Sequence, residues 1–234
     1  MHTGSELLET WIPTGGFKVE RRRVRTLDGG ATVTECLVPR WDTGELDLDQ
    51  PCARQPCLHR IVADCLPERQ PILDLAGRYG LLTVSLTRTP EPGKPVPVSA
   101  LAPEPLDVWR TEIRELKAVG DLWDRISAGD LRGRDMLERR LGANLARAPF
   151  HLTASHENGS GFRLHYRPVT LRTALWQRFA GEVTGLLRCA RCSAPSCGRW
   201  FLKGESSRND RQFCSDTCRV RAFRGKRKAE TGVS

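Results

Sequence analysis

Four cysteines near the end of the sequence have the spacing of a metal site, Cys192-x4-Cys197-x16-Cys214-x3-Cys218. Structural zinc sites hold the ion with four ligands in a tetrahedron, and two short-spaced pairs let each pair cover one side of it. Gly198 follows the first pair, where a turn that aims backbone amides at sulfur needs a residue without a side chain. Ser215 follows Cys214 and is a good helix cap. The spacing therefore predicts a Zn²⁺ ion bound by these four cysteines.

A fifth cysteine, Cys189, leaves alternatives open. It forms a Cys-x2-Cys pair with Cys192, a spacing found in zinc knuckles and in thioredoxin-like redox sites. We favour Cys192 with Cys197, because no glycine follows Cys192 and because a thioredoxin-like site requires a βαβ unit that the sequence does not predict. A further alternative is that the four cysteines are buried thiols without a metal. The sequence assigns no role to Cys189.

Positive charge is concentrated around the same cysteines. The chain has 37 Lys and Arg against 28 Asp and Glu, and residues 186–228 account for the whole formal net charge of +9. A cationic segment on a neutral body indicates a polyanionic partner, and we expect nucleic acid. The charge fits DNA and RNA alike, and DNA is the preferred expectation. The alternative to a binding segment is a basic terminus that is exposed to solvent, partly disordered and without a polyanionic partner. The residues expected to contact phosphates all follow the last cysteine and are Arg219, Arg221, Arg224, Lys226, Arg227 and Lys228.

Composition narrows the class of protein. The 234 residues are 39% hydrophobic, and no segment approaches the ~18 uninterrupted apolar residues of a membrane-spanning helix. Residues 1–11 carry two glutamates and lack the apolar region of a secretory signal. We therefore expect a cytoplasmic protein with no membrane association. In that compartment its nine cysteines should be reduced.

Hydrophobic periodicity predicts an α+β fold, with a mostly helical body that carries two β-hairpins and precedes the four-cysteine finger. Helices are expected within residues 51–80, over 106–129, around 137–145, and from 171 to Cys189 with Thr170 as the N-terminal cap. Hairpins are expected at 17–38 and 150–166, and the proline-rich residues 89–105 should form an extended connector. In the finger, Trp200, Phe201, Phe213 and Phe223 should form a small apolar layer, with Val220 also turned inward.

Other groups of reactive residues are weaker candidates. Cys52, Cys57, His59 and Cys65 offer enough donors for a second metal site, but they lie among apolar residues on one helical face, where cysteine acts as a small hydrophobe. Three histidines fall on or beside the second hairpin and are expected to be ordinary strand and turn residues. No phosphate-binding loop or catalytic motif is present, so the sequence predicts no enzyme. The three histidines are His151, His156 and His165.

Two sequence segments resemble known families. Residues 191–223 begin with Cys-x4-Cys-Gly-Arg-Trp-Phe and close with Arg-Gln-Phe-Cys-Ser-Asp-Thr-Cys-Arg, and they resemble bacterial CGNR-type zinc fingers and their treble-clef-like relatives. Arg219-Val220 replace the Gly-Asn of that signature, while Arg221 matches it. Residues 76–82 and the helix from Trp109 to Trp123 are similar to the ABATE domain that often precedes such fingers. The resemblance implies a bacterial, stress-induced transcription regulator.

These inferences predict an ABATE-like body at residues 1–187, a zinc finger with a basic helix at 188–228 and a disordered tail at 229–234. We expect a zinc-dependent nucleic-acid-binding protein in which the finger holds DNA. The body would sense a signal, bind a protein partner or pair with a second copy of the chain. The alternative is a protein-interaction adaptor whose finger is a docking surface with Trp200 and Phe201 exposed.

Overall fold

A computed structural model describes residues 10–13, 16–25, 30–40, 46–49, 51–83, 101–157, 161–204 and 211–231. Residues 89–100 of the predicted connector lie outside these ranges. The described strands are β1 (Thr10–Pro13), β2 (Phe17–Arg25), β3 (Ala31–Pro39), β4 (Leu46–Asp49), β5 (Glu104–Pro105), β6 (Phe150–Glu157), β7 (Gly161–Pro168), β8 (Cys189–Arg191) and β9 (Trp200–Leu202). The described helices are α1 (Pro51–Arg54), α2 (Leu58–Ala63), α3 (Arg69–Tyr79), α4 (Leu106–Ser127), α5 (Arg134–Ala146), α6 (Leu171–Val183) and α7 (Asp216–Thr231).

The architecture is the predicted α+β fold. Both expected hairpins form, as β2–β3 and β6–β7, and the short strand β5 adds to the edge of β3. Two further antiparallel pairs, β1–β4 and β8–β9, were not predicted because their strands have only three or four residues. Below, "the body" means the described residues before 188, and "the cysteine unit" means the described residues from 188 onward.

Helix α4 forms the centre of the body. Its apolar residues recur every three or four positions, so one face is buried from Leu106 through Trp109 and Leu116 to Leu122. This face packs against α2, α3 and α5, and α6 adds the buried rings of Trp176 and Phe179 to the same core. Each fully buried apolar side chain of this size contributes roughly 1.5–3 kcal/mol to folding. No helix in the described part of the chain combines the length and the apolar character needed to cross a membrane.

A buried carboxylate, that of Glu104, fixes the start of α4. Its Oε2 accepts hydrogen bonds from the backbone N–H of Leu82 at 3.1 Å and from Trp109 Nε1 at 2.6 Å. Its Oε1 accepts from the backbone N–H and the hydroxyl of Thr83, at 2.6 and 2.5 Å. Glu104 thus joins β5, α4 and the turn after α3 through one side chain.

Two helix ends differ from the predictions. Thr170 caps α6 as expected, with its hydroxyl accepting from the N–H of Thr173, but α6 ends at Val183 instead of continuing to Cys189. Gly185 follows with a φ of +79°, a conformation that suits glycine and turns the chain toward β8. At the other end of the cysteine unit, α7 extends to Thr231, so the first residues of the tail that we predicted to be disordered are helical.

Candidate metal centre

The cysteine unit is a short hairpin followed by a helix. Strand β8 leads directly into Cys192, Cys197 lies in the turn before β9, and Cys214 and Cys218 flank the start of α7. The turn is closed by two hydrogen bonds, from Cys192 N to Arg199 O at 2.9 Å and from Cys197 N to Ala194 O at 3.1 Å. Gly198 has a φ of +58°, as the turn predicted after Cys197 requires.

The sulfur atoms of the four cysteines are arranged for a tetrahedral ion. The Sγ atoms of Cys197, Cys214 and Cys218 are 3.6–3.7 Å from one another, and the Sγ of Cys192 lies within 4.8 Å of all three. Zn–S bonds of about 2.3 Å in a regular tetrahedron place neighbouring sulfurs about 3.8 Å apart. The observed separations match that value and are too long for disulfides. The four cysteines could therefore hold a metal ion.

Backbone groups position these ligands. The N–H of Cys214 points at Cys192 Sγ at 3.4 Å, and Ser215 caps α7 by accepting from the N–H of Cys218 at 3.3 Å. Cys218 consequently lies in the first turn of α7, where the partial positive charge of the helix end favours a thiolate. The capping role predicted for Ser215 is confirmed.

Arg199 supplies the positive charge nearest the sulfurs. Its Nε donates to Cys197 Sγ at 3.5 Å, and a terminal nitrogen donates to Cys214 Sγ at 3.6 Å. The hydrogen bond from Arg199 lowers the pKa of Cys197 to about 6. Burial raises the pKa of Cys214 to about 11, and the hydrogen bond from Ser215 lowers that of Cys218. Because four thiolates and a divalent ion form a dianion, a cation at this position stabilises the metal-bound state.

The small core of the cysteine unit differs from the predicted apolar layer. Phe201, Phe213 and Ala222 pack around the cysteines as expected of such a unit. Phe223 is 61% exposed and Val220 is 43% exposed, so the prediction that both face inward is wrong. The physical reason is the helical register: Cys218 and Ala222, four residues apart, already occupy the inner face of α7.

The predicted phosphate-contacting residues lie on α7. The side chains of Arg219, Arg221 and Arg224 are exposed, and Arg219 forms an ion pair with Asp216 at 3.1 Å. Lys226, Arg227 and Lys228 belong to the same helix, with side chains outside the described part of the structure.

Trp200 anchors the cysteine unit to the body. Its Nε1 donates to Asp64 at 2.7 Å, and Arg191 donates to the same carboxylate at 3.0 Å. The guanidinium of Arg60 lies over the Trp200 ring, 5.1 Å from its centroid. Trp200 is half-buried by these contacts. The adaptor hypothesis required Trp200 to be exposed for a partner, and in that form it is wrong.

The cysteines of the body do not form the second metal site considered above. Cys57 is joined to Cys189 in a disulfide, which also contradicts the expectation that all cysteines are reduced. Cys52 is buried, and burial raises the pKa of its thiol to about 11. The donor atoms of a different group, His59, Glu182 and Cys189, lie within 4.8 Å of one another. The Cys189 sulfur is already bonded to Cys57 in the disulfide.

Glu182 belongs to a network of buried charges that the sequence did not predict. Glu182 accepts hydrogen bonds from both His59, at 2.6 Å, and Arg60, at 2.6–3.1 Å. Arg60 also forms a bidentate pair with Asp124, at 2.8 and 3.1 Å. These partners are more than 60 residues apart in the chain, and charge alone does not distinguish them from surface residues. The network joins α2, α4 and α6 beneath Trp200.

Comparison with known proteins adds no family assignment. No protein-family model matches the chain, and no curated protein matches it.

Proposed function

We propose that this chain is a zinc-dependent nucleic-acid-binding protein, a binding protein and not an enzyme, that acts in the cytoplasm. The observation that carries the proposal is the placement of four tetrahedrally spaced sulfurs at the base of α7, whose described arginines are exposed. Metal binding at that base would order the short hairpin and fix the direction of the basic helix. So small a unit has little apolar core of its own, and metal provides folding free energy in such cases.

Zinc is the metal that suits the donor set best. Four thiolates with tetrahedral spacing select Zn²⁺ or an iron–sulfur centre, and thiolate ligands exclude Mg²⁺ and Ca²⁺. A closed set of four protein ligands leaves no open position for a substrate, which is typical of structural zinc.

Nucleic acid is the partner that fits the charge. The whole net charge of +9 belongs to residues 186–228. Arg221 and Arg224 are exposed, and within the described residues neither forms an ion pair with an acidic side chain, so a phosphate backbone could reach them. Phosphate neutralisation gives affinity without sequence preference, so a specific DNA target needs additional contacts. The role of transcription regulator belongs to this proposal and is supported by the resemblance to CGNR-type fingers and the ABATE domain.

The test of the metal is the zinc content of the purified chain. We expect one zinc per chain, and Cys197→Ser should lower the content at least severalfold because it removes one of four ligands. Cys65→Ser is the matched control, since Cys65 is a free, half-buried cysteine of the body. Full zinc content in Cys197→Ser would contradict the assignment of the ligands.

The test of the partner is binding to a mixed-sequence DNA duplex at fixed salt. The double change Arg221→Ala with Arg224→Ala should weaken binding roughly tenfold or more, because it removes two phosphate contacts. Arg21→Ala with Arg23→Ala removes the same charge from the exposed side chains of β2 and should have a much smaller effect. Equal effects of the two pairs would mean that binding follows total charge and not the surface of α7.

One observation favours a protein partner as a second candidate. Val220 and Phe223 are exposed three residues apart on α7, which forms a small apolar strip on the helix. In that case Val220→Ala with Phe223→Ala would abolish the interaction, whereas the arginine changes would leave it intact. The duplex-binding experiment separates the two candidates, since a protein-docking helix does not bind DNA.

A further inference from the structure

The disulfide between Cys57 and Cys189 crosses from the body to the cysteine unit. Cys57 precedes α2, Cys189 begins β8, and 132 residues separate them in sequence. Cys189 is three residues before the metal-ligand candidate Cys192, with β8 as the rigid connection between them. The bond therefore holds the base of the candidate metal centre against the body.

The two sulfurs differ in exposure. Cys57 is 1% exposed, whereas Cys189 is half-buried. An external thiol can therefore approach Cys189 more readily than Cys57. The Cys189 sulfur lies within 4.8 Å of a donor atom of His59 and one of Glu182, a buried pair that carries no metal-binding or catalytic role in the proposed function.

Without the disulfide, polar contacts hold the two parts together in this region. They are the bonds from Trp200 and Arg191 to Asp64 and the stacking of Arg60 on Trp200. Asp64 and Arg191 are partly exposed, at 38% and 62% for their side chains, and ion pairs of that kind contribute little to stability. A pocket of about 380 Å³ lies beside these contacts, lined by residues of α2 and α3 and by Trp200 and Arg199, so the junction is not closely packed there.

We propose that Cys57 and Cys189 form a reversible thiol–disulfide site that locks the cysteine unit to the body. The reductant is a dithiol: one of its thiolates attacks the Sγ of Cys189, the S–S bond breaks, and Cys57 leaves and takes up a proton. The second thiol of the reductant then displaces Cys189, which is protonated in turn. The dithiol becomes a cyclic disulfide, and two electrons and two protons have passed to the chain.

This site explains how a disulfide can occur in a cytoplasmic protein. Disulfides in that compartment are typically transient or redox-sensing and not structural. In the oxidised chain the disulfide fixes the cysteine unit to the residue before α2, and in the reduced chain this covalent link is lost while the polar contacts around Trp200 remain. The proposal does not depend on nucleic-acid binding, since it concerns the junction alone.

The first experiment maps the bond in protein purified under air. Trypsin separates all the cysteines concerned, because Cys57 falls in residues 55–60, Cys189 in residues 189–191 and Cys192 in residues 192–199. We expect residues 55–60 and 189–191 to be recovered as one disulfide-linked species that a phosphine reductant separates. The phosphine becomes a phosphine oxide with oxygen from water. Recovery of Cys189 linked to Cys192, or of alkylated Cys57 and Cys189, would overturn the proposal.

The second experiment measures how strongly the disulfide holds the cysteine unit to the body. The observable is the rate of amide hydrogen exchange in residues 57–66 and 188–204. Phosphine reduction of the wild-type chain should speed exchange there roughly tenfold or more, since an intramolecular link is lost. Cys57→Ser with Cys189→Ser should show the fast rate without reductant, and Cys65→Ser should respond as the wild type does. Equal exchange in oxidised and reduced protein would overturn the proposal.

Zinc content in both redox states completes the test. The lock predicts the same zinc content before and after reduction. Uptake of a second ion on reduction, lost in Cys189→Ser, would make these cysteines metal ligands with His59 and Glu182 and would overturn the assignment of a thiol–disulfide site.

Discussion

At the scale of single residues, Arg60 connects more of the molecule than any metal-ligand candidate does. Its guanidinium donates hydrogen bonds to Glu182 of α6, forms an ion pair with Asp124 of α4 and lies over the Trp200 ring of the cysteine unit. Arginine suits this position because its planar group can donate in several directions while one face stacks on a ring. Burial of the guanidinium is tolerated because two carboxylates balance it.

Arg199 gives a prediction about metal release at low pH. Bound thiols must be deprotonated, so metal is lost as pH falls. Replacing Arg199 with Ala removes the hydrogen bond that lowers the pKa of Cys197 to about 6. Protons then compete with the metal ion for the Cys197 sulfur at higher pH. We expect the pH at which half of the metal is released to rise by roughly half a unit, because the effect on one thiol is shared among all the protons that the metal displaces.

The measurement is zinc release followed with a chelating dye as pH is lowered. Arg211→Ala is the matched control, because Arg211 is an exposed arginine of the same unit that donates to backbone carbonyls and not to sulfur. An unchanged midpoint in Arg199→Ala would show that Arg199 does not act on the thiolates.

At the scale of elements, Glu104 gives a prediction about the junction of β5 and α4. The change Glu104→Gln replaces one acceptor oxygen by an N–H₂ group that faces two donors. Unsatisfied buried donors cost about 1–3 kcal/mol each, so we expect the free energy of unfolding to fall by roughly 2 kcal/mol or more. Urea denaturation measures this, with Glu138→Gln on the exposed face of α5 as the control. Equal midpoints for the two variants would contradict the role assigned to Glu104.

Elements with a strong local pattern could be predicted from the sequence. Helix α4 has an apolar repeat over six turns, and the hairpins have alternating strands, so their existence follows from residues that are neighbours in the chain. The knuckle at Gly198 and the cap at Ser215 are also local, and both are confirmed. The end of α6 was missed because the apolar residues Leu186 and Leu187 continue the helical pattern past the turn at Gly185.

At the scale of the whole molecule, the contacts at the junction of the two parts, and the buried charge pair of the body beneath it, could not be predicted. The pairs Cys57–Cys189, Arg60–Glu182 and Asp64–Trp200 are each separated by more than 120 residues, and no periodicity in the sequence relates their members. They arise from the packing of α2 against α6 and β9. A cysteine, an arginine or an aspartate looks the same in the sequence whether or not it finds such a partner.

Global stability should depend on pH through His59. Burial lowers the pKa of this histidine below its usual value of 6.5 in the folded chain. Below about pH 6.5 the unfolded chain therefore binds more protons, and the free energy of unfolding falls as pH falls, by at most about 1.4 kcal/mol per pH unit for one group.

Comparison with His59→Gln isolates this effect. Glutamine does not titrate, so the variant should lose less stability than the wild type between pH 6.5 and 5, measured by urea denaturation at each pH. The fall due to carboxylates that do not contact His59 is common to both chains and cancels in the difference. Glu182 is the exception, because the hydrogen bond from His59 helps to lower its pKa, and glutamine is chosen because its side-chain N–H₂ group can still donate to that carboxylate. Parallel curves would contradict a neutral His59 in the folded protein.

The salt dependence of duplex binding tests the central claim most directly. The zinc-loaded chain is titrated onto a labelled mixed-sequence DNA duplex at several salt concentrations, and the logarithm of the association constant is plotted against the logarithm of salt. If about five basic residues of α7 neutralise phosphates, the slope should be near roughly −4.5. Absence of binding at low salt, or an affinity that does not change with salt, would contradict a nucleic-acid-binding helix on a zinc centre.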